Sequence, residues 1–353
     1  METPTQEKQP YQEPPETINT GIPELDQLLQ GGITTGTLHQ IFGTRMVGKS
    51  ILSFQLAFQY TKQHQRSVLY FDTELGFNKS IRPYWYPIFA QLTQQQPPIH
   101  NVKTQRYADK PRKGKAQENE IHTALQAGLT EANIKYTEQQ LNAATQIFQP
   151  QITIQAPQEK QPAIYVLEQT PVQDILATHG IQILIQISEG GRVETRAQPG
   201  TQLDIRQTPL GQFVEEHNVG LIIYDSISAP MKATFVGLQD LPGRSASQNL
   251  WFGQAQKAAN IYNLTVIATS HESIDPITGQ RHYYGGGPVG FDFKFTYHLQ
   301  RHYHTTKTKT DAAINPNDSP NASHAFWIQR HPNTPTYGAA ALLKLDKQGF
   351  HAP

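Results

Sequence analysis

Hydrophobic and polar positions follow one another in blocks along this chain, and the block lengths predict its elements. Residues 1–17 are polar and rich in Gln and Pro, and they read as a disordered tail. Pro23 to Leu29 carries apolar residues at helical spacing and is stopped by Gly31-Gly32, which predicts a short amphipathic helix. Thr37 to Phe42 reads as a strand. Lys49 to His64 places Ile51, Leu52, Phe54, Leu56, Ala57 and Phe58 on a largely buried helix. Ser67 to Asp72 is a second apolar strand that ends in acids, Asp72-Thr73-Glu74. Leu221 to Ser226 is a third and also closes on an aspartate, Asp225. A helix from Leu250 to Tyr262 then precedes a strand from Leu264 to Thr269. Phe291 to Leu299, Ala325 to Gln329 and Ala340 to Leu345 read as further strands, and Asp311 to Ser323 as a polar loop.

The span from about 83 to 219 is less regular. It predicts helices at Glu118 to Gly128 and Thr137 to Phe148, a strand at Ala163 to Leu167, and a hairpin. The hairpin joins Ile181–Ile187 to Arg192–Arg196 through Gly190-Gly191. Apolar strands alternating with helices predict an α/β fold: a mostly parallel central sheet with helices on both faces, carrying a large insertion at about 83–219.

The predicted strand, loop and helix between Thr37 and His64 frame the strongest chemical signal. Residues 43–50 fit G-x-x-x-x-G-K-[ST], a phosphate-binding P-loop. Gly43, Thr44, Arg45, Met46, Val47, Gly48, Lys49, Ser50 and Ile51 are the candidate nucleotide-binding residues. The glycines let backbone N–H groups turn inward around phosphate oxygens. Lys49 can reach the β- and γ-phosphates, and the Ser50 hydroxyl can hold Mg²⁺. ATP and Mg²⁺ are therefore the expected cofactors, with Asp225 as the second candidate metal residue. Glu74 lies two residues past the strand aspartate Asp72, at the sheet edge where open α/β folds keep their ligands, and is the candidate to orient or deprotonate water. Asp72 reads equally well as a turn cap. His271 can donate to a phosphate oxygen and change its contact when that oxygen leaves. His298, His302 and His304 have spacing that could bind a metal, but the pattern brings no carboxylate or cysteine with them.

Composition narrows the setting. Of 353 residues, 29 are Lys or Arg and 29 are Asp or Glu, so there is no net charge, and a nucleic-acid partner would have to be met by local patches. There is no cysteine, which removes disulfides, thiol nucleophiles and Cys-based zinc sites. No apolar run reaches the ~20 residues that span a bilayer. These features suggest a soluble intracellular protein without a membrane partner.

The order of motifs resembles the RecA/RadA recombinase superfamily. Thr20 to Ile33 is similar to its leading T-G-x-x-x-L-D-x-L-L-x-G-G-I pattern, Asp72-Thr73-Glu74 with Phe77 to its D-T-E-x-x-F, and Leu221 to Ser226 to its Walker B strand. Arg244 and Gln248 resemble the segment after the family's first DNA-binding loop, and Gly285 to Gly290 with Leu299-Gln300-Arg301 the segment closing the second. Residues 1–17 lack the family's helical DNA-binding domain and its F-x-x-A motif, so the layout resembles short RadB-like or eukaryotic recombinase paralogues. Ser270-His271 stands where the family usually has Asn-Gln, and a histidine there is similar to phage-type ring helicases.

The resemblance implies a RecA-like ATPase domain over 18–353. It implies a DNA-dependent ATPase of recombination and repair, with Glu74, Lys49 and His271 as catalytic residues. It also implies single-stranded DNA as partner, and association with itself or another recombinase-family protein. Such a protein works in the cytoplasm of an archaeon or bacterium, or in a eukaryotic nucleus. DNA contact would rest on Arg244, Arg281 and Lys232, with the basic run Lys103 to Lys115 and the rings of Tyr283 and Tyr284 in support. A ring-forming helicase-like or KaiC-like ATPase, or a nucleotide-switched scaffold, is the alternative.

Overall fold

Alternate residues of the buried strands go to opposite faces of one sheet, and each face receives its own layer of helices. In the strand Ser67–Asp72, Val68 and Tyr70 join one apolar cluster while Leu69 and Phe71 join the other. In Val219–Asp225, Leu221 and Ile223 divide from Ile222 and Tyr224 in the same way. Two-sided burial is why these strands read as unbroken apolar runs. The computed structural model describes residues 16–107, 151–168, 172–187, 193–199, 204–234, 241–274, 281–283, 293, 295–301, 321–332 and 339–353.

The strands in chain order are β1 (Thr17–Ile18), β2 (Ile33–Thr34), β3 (Leu38–Gly43), β4 (Ser67–Asp72), β5 (Ile99–Tyr107), β6 (Gln151–Gln155), β7 (Ile164–Glu168) and β8 (Ile181–Ile187). They continue with β9 (Val193–Pro199), β10 (Val219–Asp225), β11 (Thr265–Ile274), β12 (Arg281–Tyr283), β13 (Phe295–Arg301), β14 (His324–Arg330), β15 (Ala340–Asp346) and β16 (Gly349–His351). The sheet runs β16-β15-β14-β13-β3-β11-β10-β4-β7-β5-β6, with β12 attached to β11. From β13 through β5 every pairing is parallel; β14, β15 and β16 extend one edge antiparallel, and β6 the other. This is the expected α/β architecture.

On one face the helices Pro23–Leu28, Lys49–His64 and Arg82–Thr93 cover the sheet, with Phe54, Phe58 and Phe89 packed edge to face. On the other face lie the helices Val172–Thr178, Pro209–Glu216, Ser228–Thr234 and Leu241–Tyr262. Two boundaries differ from the sequence expectation. The helix predicted from Leu250 begins at Leu241, because Pro242 falls in its first turn, where no intrahelical N–H is needed. β11 runs on through the polar residues Ser270-His271-Glu272 to Ile274, because its end pairs with β12.

The span 83–219 is partly built into the sheet. β7 pairs with β4, β5 with β7, and β6 closes the edge, while β8 and β9 pair antiparallel as the predicted hairpin requires, with residues 188–192 between them outside the described residues. The helices predicted at 118–128 and 137–148 lie outside the described residues, as do Lys110 to Lys115, Tyr284, residues 285–290, His302, His304 and 311–320. Among the described residues no helix is long and apolar enough to cross a membrane.

Candidate functional site

β3 ends at Gly43, the loop runs to Gly48, and the helix Lys49–His64 starts at once. Gly48 has φ +95°, in the left-handed region open to glycine, and an added Cβ would come within 2.8 Å of the Phe350 ring. Gly43 also leaves room for close packing: a Cβ there would lie 2.2 Å from the Leu299 carbonyl of neighbouring β13. Arg301 of β13 donates from Nη2 to the Met46 carbonyl at 3.2 Å and so ties down the loop tip, where Met46 and Arg45 are exposed.

Lys49 is 6% exposed and turns its ammonium onto the carbonyls of Gly43 (3.1 Å) and Thr44 (2.8 Å). Burial holds its pKa below the usual lysine range, while Asp225, Glu74 and Glu272 pull it back up. The helix start has no side-chain cap and no acid in its first turn. A buried ammonium facing carbonyl dipoles, beside uncapped N–H donors at a positive helix end, suits an anion of several charges such as a triphosphate. Ser50 stands half-buried in the same first turn.

Three carboxylates mark the ends of β4 and β10. Asp225 is 7% exposed, and both of its oxygens are engaged: Oδ2 accepts from Tyr70 Oη at 2.7 Å and Oδ1 from Thr269 Oγ1 at 2.6 Å. Each oxygen keeps a lone pair, so the residue fits a place beside a metal ion or its waters. Burial first, then the Asp225 charge, raises the Tyr70 pKa well above the ordinary phenol value, so the hydroxyl keeps the proton it donates. Asp72 accepts from the N–H groups of Gly76 (3.2 Å) and Phe77 (2.8 Å), which makes it a cap for the segment that follows. Burial above all pushes its pKa up to about 6.

Glu74 is the most open of the three, with 43% of its side chain exposed. Its Oε1 accepts from Ser226 Oγ at 2.8 Å and meets His271 Nε2 at 2.9 Å. The His271 hydrogen bond is the main reason its pKa falls to about 2. Thr73 stitches this turn to β10: its N–H donates to the Asp225 carbonyl (2.9 Å), and its hydroxyl exchanges bonds with the Ser226 backbone (2.6 and 2.8 Å). Glu74 is thus ionised at neutral pH with both bonds on Oε1, leaving Oε2 able to accept from a water.

The fold therefore brings Lys49, Asp225, Glu74 and His271 to the C-terminal edge of β3, β4, β10 and β11, where open α/β sheets take ligands. The three residues expected to meet DNA lie in other elements. Lys232 lies in the helix after β10, Arg281 opens β12, and Arg244 is half-buried near the start of Leu241–Tyr262. Of the three spaced histidines, His298 is the one among the described residues. His298 is 6% exposed, meets Glu272 Oε2 at 3.0 Å and stacks on Phe42, and among the described residues no group of metal-binding side chains forms. Tyr70, Thr269, Ser226 and Glu272 were not singled out from the sequence. Strand register, which sets Asp225 opposite Asp72 and Tyr224 opposite Ala268, brings Tyr70 and Thr269 to Asp225 and Ser226 to Glu74.

Comparison with known proteins agrees with this geometry over one segment. The family model described as "ATPase: KaiC" matches residues 18–79. The DNA repair and recombination protein RadB of Methanobrevibacter smithii is 47% identical over 60 residues, which is 17% of this chain and 24% of that protein. RadB of Thermococcus gammatolerans is 41% identical over 61 residues, 17% of this chain and 26% of its own. The chain thus spans about a quarter of the length of the curated relatives it matches. The crystal structure of the RadB recombinase covers 96% of this chain and 100% of its own at 16% identity and TM-score 0.47, too loose a likeness to add weight. Over residues 18–79 this chain is thus similar to the KaiC-type ATPase model and to RadB, and that similarity supports the RecA/RadA resemblance of its motif order.

Proposed function

We propose that this protein is a DNA-dependent ATPase of homologous recombination and repair, acting inside the cell as a RadB-type recombinase paralogue. The observation that carries this reading is the convergence at one sheet edge. The buried Lys49 ammonium feels both Asp225 and Glu74, and Glu74 is held by Ser226 and His271. The backbone from Gly43 to Gly48 with Lys49, Ser50 and Ile51 would hold the triphosphate, and Ser50 with Asp225 would hold Mg²⁺. Bound there, ATP supplies the γ-phosphoryl group and Mg²⁺ offsets the charge on its oxygens. Glu74 orients the attacking water through Oε2. His271, fixed to Oε1, carries any change at the γ-phosphate into β11 and on to β12. Arg244, Arg281 and Lys232 would meet phosphates of single-stranded DNA beyond the strand ends. Association with itself or with a second recombinase-family protein belongs to the same reading.

The test is ATP hydrolysis at low salt with and without single-stranded DNA, on wild type and Lys49→Ala. Wild type should hydrolyse ATP faster with DNA, and Lys49→Ala should lose nucleotide binding. Wild-type protein that neither binds DNA nor changes rate with it would overturn the DNA-dependent reading.

A second reading, a ring-forming KaiC-like or helicase-like motor, is favoured by the Glu74–His271 contact and the KaiC match. Light scattering decides between them: a nucleotide-dependent hexamer supports the ring, and its absence in ATP and Mg²⁺ counts against it.

A further inference from the structure

The two strands that flank β10 each send one hydroxyl to the same carboxylate. Tyr70 from β4 donates to Asp225 Oδ2 at 2.7 Å, and Thr269 from β11 donates to Oδ1 at 2.6 Å. Tyr70 and Thr269 are fully buried and Asp225 is 7% exposed, so water does not compete for these bonds. Tyr70 lies in the same apolar cluster as Ile223 and Ile267. Strand parity therefore sets Asp225 and Thr269 on the face covered by the helix Lys49–His64, the face of the P-loop. The Tyr70 ring is wedged against Phe77, centroids 4.8 Å apart, which fixes its hydroxyl. With a donor on each oxygen from opposite sides, the carboxylate cannot rotate without breaking a bond, and the lone pairs left over have fixed directions.

We propose that Tyr70 and Thr269 are positioning residues that hold the Asp225 carboxylate in the orientation in which it takes Mg²⁺ beside the nucleotide. This rests on the ATP·Mg²⁺ reading above and goes beyond it by naming what sets the metal residue.

The experiment measures binding of a fluorescent ATP analogue in EDTA and then across a MgCl₂ titration, for wild type, Tyr70→Phe, Thr269→Val and Thr269→Ser. The Mg²⁺ concentration at half-effect should rise about tenfold in Tyr70→Phe and in Thr269→Val, while metal-free nucleotide affinity stays within about twofold, as expected when only a partner of a metal residue is lost. Thr269→Ser, which restores the hydroxyl, should behave as wild type. An unchanged Mg²⁺ midpoint in both variants overturns the proposal, as does an equal loss of metal-free and metal-bound affinity. If Tyr70→Phe does not fold, the Thr269→Val and Thr269→Ser pair decides by the same criteria. Wild-type protein whose nucleotide binding ignores Mg²⁺ would remove the underlying reading instead, a result distinct from failure of the variants.

Discussion

Two clusters share the C-terminal edge of the sheet and are built on opposite principles. The inner one, Asp225 with Tyr70 and Thr269 beside Asp72, is buried, and its carboxylates are held by neutral hydroxyl and amide donors. The outer one, Glu74 with His271 and Ser226, is half open, and an acid meets a histidine. Burial penalises charge, so the inner cluster can keep a carboxylate only where several dipoles converge on it, and burial still pushes the Asp72 pKa up to about 6. In the outer cluster the hydrogen bond from His271, helped by Ser226, outweighs a remaining burial penalty, and the Glu74 pKa is driven down to about 2. The inner cluster is suited to fixed geometry and the outer one to chemistry that must change during a cycle.

The largest test of that division is Glu74→Gln. The amide keeps the shape and can still accept on Oε1 from Ser226, so folding and ATP binding should be preserved. Loss of the carboxylate that orients or deprotonates water should lower single-turnover hydrolysis by about 10²–10⁴-fold. Hydrolysis at the wild-type rate would move the chemistry away from the outer cluster, and would favour a scaffold that uses nucleotide only as a switch.

The next effect separates the clusters by the sign of their pH dependence. The folded pKa of Asp72 is raised from 3.8 to about 6, so the folded state binds its proton more tightly than the unfolded chain. Its contribution to stability therefore grows as pH falls through 6 and is lost as pH rises. Between pH 7 and pH 4.5 this amounts to about 2 kcal/mol by linkage. Urea unfolding of wild type and Asp72→Asn at both pH values should show the gain in wild type and a correspondingly flatter profile in the variant. Equal pH profiles would mean that the Asp72 carboxylate is better solvated than its burial implies.

How much of this was legible in the sequence follows from where the constraint lies. The P-loop, the acids closing β4 and β10, and the β8–β9 hairpin each sit in one continuous stretch whose residues must do a local job, and each was readable. Tyr70 and Thr269 were not, because a tyrosine or threonine in an apolar strand reads as core until register sets it beside a carboxylate. The same holds for β7, whose short apolar run does not say which strand it will lie against, and more so for β5, whose residues are mostly polar. His298 was read with the histidines that follow it. Its observed partner, Glu272, is 26 residues earlier in the chain, and the two meet because β11 and β13 both flank β3. Local patterns disclose what one segment does, while pairing between segments discloses which residues act together.

The smallest expected effect is on stability, from His271→Gln, and it sharpens the contrast most. A glutamine can still donate to Glu74 Oε1 but carries no charge at any pH. The folded pKa of Glu74 is depressed from 4.5 to about 2, chiefly by His271, so its stabilising contribution is present above pH 4.5 and is lost as pH falls toward 2. Because Glu74 is 43% exposed, solvent screens the pair, and the loss at pH 7 should be below about 1 kcal/mol. Wild type and variant should converge as the pH is lowered through that window, followed by urea unfolding at pH 7, 4.5 and 3. A loss of several kcal/mol at pH 7 would make the outer cluster a structural element like the inner one, and the division between fixed geometry and changing chemistry would fail at its weaker side.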